Sequence, residues 1–147
     1  MDFLQSLIHD AVIRASASTY APQELGNRGL QITLNTSANK NKRFVGPETN
    51  PVYPDLIIWR PDFPGSNLGQ VVVVEAIETT FTLNTPQLFK WRMLASLGVR
   101  FNLIIPVTSL QNVRSALISN GLTNGVVLQT YAIDSQNRYT FTTVSIT

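Results

Sequence analysis

The sequence predicts one α/β domain built on a mixed sheet, and three observations carry that expectation. Segments with the helical i, i+3, i+4 apolar spacing alternate with short β-rich runs. Two pairs of those runs are joined by turn-forming stretches, Pro61 to Gly69 and Asp134 to Asn137, while the others are separated by helices of the kind parallel strands use as crossovers. The chain's 147 residues are 44% hydrophobic and 14% charged, enough for one self-standing core, and no repeat, low-complexity tract or linker divides residues 1–147.

Asp2 is placed to cap a first helix whose apolar positions Leu4, Leu7, Ile8, Ala11 and Ala15 share a face and which ends near Ser16. A strand follows over Leu30 to Asn35. Thr36 to Val52, rich in Asn, Lys, Gly, Pro and Thr, reads as a loop of roughly 17 residues, longer than most in compact domains. Tyr53 to Trp59 and Gln70 to Ile77 form a β-hairpin. Thr85 and Pro86 give a cap and first-turn signal, Gly98 a stop, so Pro86 to Leu97 is a helix with Leu88, Trp91, Leu94 and Ala95 toward the sheet. Val99 to Val107 is a buried strand, Thr108 or Ser109 caps a helix to Asn120, and Gly125 to Ile133 pairs with Arg138 to Ile146. The order is α β β β α β α β β.

Composition narrows the chemistry. Without cysteine there are no disulfides, thiolate metal sites or cysteine nucleophiles, and a single histidine argues against Ser-His-Asp or multi-histidine sites. The longest apolar run, Val71 to Val74, meets Glu75 at once, so no membrane span is expected; the acidic start Met1-Asp2 is unlike a signal peptide, and an intracellular, cytoplasmic setting is expected. A net charge of +2 with a pI near 9.2 permits nucleic-acid binding without requiring it.

The central hairpin carries two acids. If it is symmetric about Gly65, Asp55 lies opposite Glu75. Facing side chains have Cβ atoms ~4.5–5.5 Å apart, where like charges destabilise a sheet. A divalent cation resolves the conflict: two carboxylates, a backbone carbonyl such as that of Ala76, and waters suit Mg²⁺ or Mn²⁺, with metal-activated water as nucleophile on a phosphate ester. The alternative is a hairpin slipped by a residue or two, with Asp55 at a solvated strand start and Glu75 paired with Arg60, Arg92 or Arg100. The metal reading also implies that Asp55→Ala leaves folding intact or improved, because it removes repulsion.

Tyr53-Pro54-Asp55-Leu56-Ile57-Ile58 followed by Val71-Val72-Val73-Val74-Glu75, nineteen residues separating the two acids, resembles the core of the PD-(D/E)XK nuclease superfamily. The αβββαβ order from Asp2 to Val107 resembles its restriction-endonuclease-like fold, here followed by a C-terminal helix and β-hairpin. The resemblance implies that Asp55 and Glu75 bind the metal. It departs at Ile77, where the family has lysine; Lys90, one turn into the next helix, is the candidate substitute, since relatives are known in which the lysine has moved there. Arg92 is the weaker candidate, and at 100° per residue the two cannot both point inward.

Glu78 lies three beyond Glu75, on the other face of a regular strand, unless the strand's end turns it in as an extra ligand or base. Relatives that read Glu-x-Glu-Thr make Glu78-Thr79 an alternative match. Glu24 is the nearest candidate for the acid the family often adds from its first helix region. Lys40, Lys42 and Arg43 cluster in the long loop as candidate phosphate contacts. Trp59 reads as core and His9 as an ordinary boundary histidine without a role.

The expected function is therefore a metal-dependent DNA endonuclease, with Lys90 stabilising transition-state charge. A catalytically inactive nucleic-acid-binding or assembly module on the same fold is the alternative, and the last hairpin offers an edge on which a second copy would make a homodimer.

Overall fold

In the computed structural model, described over residues 2–39, 42–61, 70–83 and 87–147, six strands form one mixed sheet in chain order. The strands are β1 (Gln31–Leu34), β2 (Leu56–Arg60), β3 (Gln70–Ile77), β4 (Arg100–Pro106), β5 (Val127–Ile133) and β6 (Tyr139–Val144). β1, β2 and β3 pair antiparallel, β3, β4 and β5 pair parallel, and β6 returns antiparallel to β5. The helices are α1 (Phe3–Ala17), α2 (Pro22–Asn27), α3 (Gln87–Ala95) and α4 (Leu110–Ser119). The α/β class, the mixed sheet and both expected hairpins are therefore present.

Local chemistry explains most boundaries. Asp2 starts α1 with a capping box: its carboxylate accepts from the Gln5 backbone N–H at 2.8 Å, and the Gln5 side chain accepts from the Asp2 N–H. Gly98 follows α3 in the left-handed region at φ +74°, as a stop requires. Thr85 and Pro86, the expected start of that helix, lie outside the described residues, as does the turn from Asp62 to Gly69. Helix α2 was not expected, although Pro22 at its first position is a start signal. The expected long loop contains a 3₁₀ turn at Ser37–Asn39 and a bridge between Val45 and Val52.

The sheet separates two cores. Ile57, Val74, Ala76, Leu103 and Ile105 meet Trp91 and Leu94 of α3 and Val113 and Leu117 of α4 on one face. On the other, Ile77 and Ile104 meet Val12 and Ile13 of α1, and Leu56 and Ile58 pack with Leu30, Tyr20 and Leu25. Both parallel crossovers, through α3 and α4, therefore cover the same face. Trp91 and Leu94 are buried with Leu88 and Ala95 packed beside them, as the helical spacing implied.

The central hairpin corrects the expected register. Arg60↔Gln70 and Trp59↔Val71 keep the symmetry about Gly65, but the next pair is Ile58↔Val73. Val72 is one extra residue on β3, a bulge, and beyond it every pair moves on by one, so that Leu56 lies opposite Glu75. Because successive side chains alternate faces, this single residue puts Asp55 and Glu75 on opposite sides of the sheet. Asp55 shares a side with Ile57 and Ala76.

Among the described residues no helix is long and apolar enough to cross a membrane. Leu103, fully buried between the two crossover helices, tests the core directly: Leu103→Ala should cost about 2–5 kcal/mol in urea unfolding, and a change below a few tenths would contradict this packing.

Candidate functional site

At the carboxyl end of β3 the chain gathers four ionisable side chains. Asp55, just before β2, is buried at 6% exposure, and its Oδ2 accepts the Ile77 backbone N–H at 2.7 Å. Lys90 Nζ, from α3, stands 3.7 Å from the same oxygen. His9, from α1, places Nε2 2.8 Å from the Ile77 carbonyl oxygen and 3.4 Å from Asp55 Oδ1. Glu78, the residue after β3, is 2% exposed, donates its backbone N–H to the Ile104 carbonyl at 2.8 Å, and accepts from Trp91 Nε1 at 3.3 Å. Asp55 is thus reached from both faces because it sits where the sheet ends.

Burial and neighbouring charges set the direction in which each group shifts. Burial alone would raise Asp55, but the Lys90 charge, the His9 contact and the Ile77 N–H together hold it below its ordinary value, so the carboxylate is ionised. For Glu78 burial dominates and the Asp55 charge adds to it, so its carboxyl lies above the ordinary value despite Thr82, Lys90 and Trp91. Burial would lower His9, yet the hydrogen bond and charge of Asp55, the Ile77 carbonyl and the Glu78 charge raise it overall. Two carboxyls with environments that push them apart, beside a lysine, make an acid-base arrangement.

Glu75 is elsewhere. Its Oε1 accepts from Ser16 Oγ at 2.6 Å, and its Oε2 accepts from Tyr20 O–H at 2.6 Å and Asn102 Nδ2 at 2.8 Å. All three donors are neutral, and together they fasten the end of α1 to β3 and β4. With Arg100 and Gln129, Glu75 borders a polar cavity of about 450 Å³ on the α1 face. The expected joint site of Asp55 and Glu75 is therefore not formed, and neither Arg60, Arg92 nor Arg100 pairs with Glu75 among the described residues. Ala76, whose carbonyl was the expected third ligand, is wholly buried opposite Leu103 within the β3–β4 ladder.

The remaining candidates divide. Lys90 reaches the cluster and Arg92 is exposed, as their angular separation required. Glu78 lies on the face opposite Glu75, as a regular strand dictates; two residues beyond Ala76 it faces α3, and no turn at the strand's end is needed to bring it to the side of Asp55. Glu24 is exposed on α2. The acid that the first helix does bury is Asp10, which accepts from the Ser37 N–H at 2.9 Å and from its hydroxyl, holding the segment after β1. Lys42 is exposed, whereas the Arg43 guanidinium lies 3.6 Å over the Trp59 ring and burial lowers its pKa. Arg43 therefore does not form an exposed basic strip with Lys42, and Lys40 lies outside the described residues. Trp59 is half-buried, donating to Thr33 Oγ1 at 2.9 Å.

His9 is the residue the sequence reading passed over. It is the chain's one histidine, but its contact with Ile77 joins residues 68 positions apart, and no spacing rule reports such a contact. Compared with known protein families, curated proteins and solved structures, the chain has no match.

Two consequences are measurable. Asp55 accepts a buried N–H and pairs with Lys90 and His9, so Asp55→Ala should destabilise by about 1–3 kcal/mol, opposite to the expectation from charge repulsion. Its contribution is present above the ordinary value of 3.8 and lost as pH falls through the lowered one; urea midpoints that rise in the variant would overturn this. The His9 contribution has the opposite sign. It is complete below the ordinary value of 6.5 and disappears as pH rises through the raised one. His9→Gln should therefore flatten the fall in stability as pH rises above 6.5, and identical pH profiles for the two proteins would contradict the contact.

Proposed function

We propose that the chain is a divalent-metal-dependent DNA endonuclease of the restriction-endonuclease-like kind, acting through Asp55, Glu78 and Lys90. The observation that supports this reading is the meeting of these three side chains at one end of β3, where β2 begins and α3 passes. It revises the expected assignment: Glu78 takes the part first given to Glu75.

The donor set fits Mg²⁺ or Mn²⁺. Such ions are commonly held through one or two carboxylates, the remaining positions going to water and substrate phosphate. Asp55 and Glu78 are two buried carboxyls on one side of the strand end; burial is the main cause of the rise in Glu78 and the Asp55 charge adds to it, and a cation held by both would favour their ionised forms. When bound it would supply a Lewis acid and an activated water. Asp55 is already ionised and held in place by the Ile77 N–H, ready to act as a ligand. Lys90, with its ammonium beside Asp55, is positioned to stabilise negative charge developing on a phosphate. Glu78, raised by burial, would give up its proton on taking up the cation. Lys42, and Lys40 beside it in sequence, would meet the DNA backbone, and a second copy pairing along the edge strand β6 would present two such centres to a duplex.

Linear, supercoiled, flapped and junction DNAs incubated with Mg²⁺ or Mn²⁺ provide the test. Asp55→Asn, which keeps an acceptor for the Ile77 N–H, and Lys90→Ala should each lower cleavage by about 100-fold or more, and Glu78→Gln should do likewise. Glu75→Gln should leave cleavage within a few-fold. Cutting that survives in Asp55→Asn would overturn the reading. Metal-independent DNA binding without cutting would favour the non-catalytic module, for which the direct pairing of Asp55 with Lys90 and His9 is the supporting observation.

A further inference from the structure

A cavity of about 430 Å³ opens between α3 and α4, lined by Leu88 and Trp91 of α3, Asn112 and Ala116 of α4, and Thr80 and Ser109 from the segments that follow β3 and β4. It lies beyond the carboxyl ends of two parallel strands, β3 and β4, whose following segments supply Thr80 and Ser109. Its wall is shared with the ionisable cluster, because the Trp91 indole that borders it donates to Glu78 Oε1. We propose that this cavity takes the base of an unpaired nucleotide, so that the substrate is DNA with single-stranded character at the point of attack. The proposal rests on the nuclease reading of the neighbouring cluster.

The lining chemistry suits a base better than a phosphate. Leu83, Leu88, Trp91 and Val113 offer an apolar slot with one aromatic wall, and among the described residues no Lys or Arg borders it. Thr80, Ser109 and Asn112 place hydroxyls and an amide at the same cavity, and the Ser109 side chain makes no cap hydrogen bond to α4. An amide can pair with a base edge while a hydroxyl serves as donor or acceptor, the combination by which extruded bases are read. Cavities of this size accommodate small planar ligands. The turn that supplies Thr80 and Leu83 leaves the Phe81 ring half exposed, a surface on which a neighbouring base can stack. A base inside a duplex cannot reach such a slot without leaving the stack, and an already unpaired base avoids that cost.

The experiment compares binding of a labelled single-stranded oligodeoxynucleotide with its duplex by fluorescence anisotropy in Ca²⁺, alongside cleavage of both in Mg²⁺. Ala116→Phe fills the cavity from α4, and Asn112→Ala removes a polar group from its exposed side; thermal unfolding checks that both variants fold. The single strand should bind at least about tenfold more tightly than the duplex, a preference lost in Ala116→Phe and weakened several-fold in Asn112→Ala. Asp55→Asn should lose cleavage yet keep the preference. Equal binding of the two DNAs, or a preference untouched by both cavity variants, would overturn the inference, and if the duplex is cut regardless the nuclease reading stands without it. A preference that follows the cavity variants with no cutting of either DNA would retain the base site and remove the nuclease reading.

Discussion

One extra residue in β3 sets which face of the sheet each of the two hairpin carboxylates takes. Val72 bulges out of the β2–β3 pairing, and the period of two along a strand turns that single insertion into an exchange of faces. Glu75 goes to the α1 side, where three neutral donors hold it. Asp55 stays on the side of Ala76, at the strand end, within reach of α3. Without the bulge two carboxylates would oppose each other across a buried hairpin; with it, each has its own surroundings and its own task.

The two acids are stabilised in different ways. Glu75 is held by three hydrogen bonds from neutral donors and joins three elements, α1, β3 and β4, which makes it part of the frame. Asp55 is neutralised by charge, from Lys90 on one face and His9 on the other, with a backbone N–H fixing its orientation. Such a carboxylate is ionised and oriented, with His9 at 3.4 Å and Lys90 at 3.7 Å. Glu78 adds a buried carboxyl that resists ionisation beside it. These contrasts underlie the proposed division between structural and acting acids.

The backbone order was legible because it rests on local signals: the Asp2 cap, the helical stripe of Leu88, Trp91 and Leu94, the unbroken Val71 to Val74 run, and glycines 98 and 121 behind the helices. What the sequence could not report is register. The bulge at Val72 has no composition signal, since the strand reads valine on both sides of it, and an error of one residue there reverses the neighbours of Asp55 and Glu75. Lys90 was legible from its place on the helix after the hairpin. His9 was not, because its role comes from where α1 crosses the sheet end, a tertiary fact that follows from packing Val12 and Ile13 against Ile77 and Ile104. Arg43 looked like a free phosphate contact by sequence and is instead stacked on Trp59.

The central claim is that the acting carboxylates are Asp55 and Glu78, with Glu75 serving the frame. Calorimetric titration of Mn²⁺ into the wild type, Asp55→Asn, Glu78→Gln and Glu75→Gln tests it without reference to any substrate. The account predicts binding by the wild type and Glu75→Gln and its loss in Asp55→Asn, with Glu78→Gln weakened. Binding that disappears in Glu75→Gln while persisting in Asp55→Asn would contradict it.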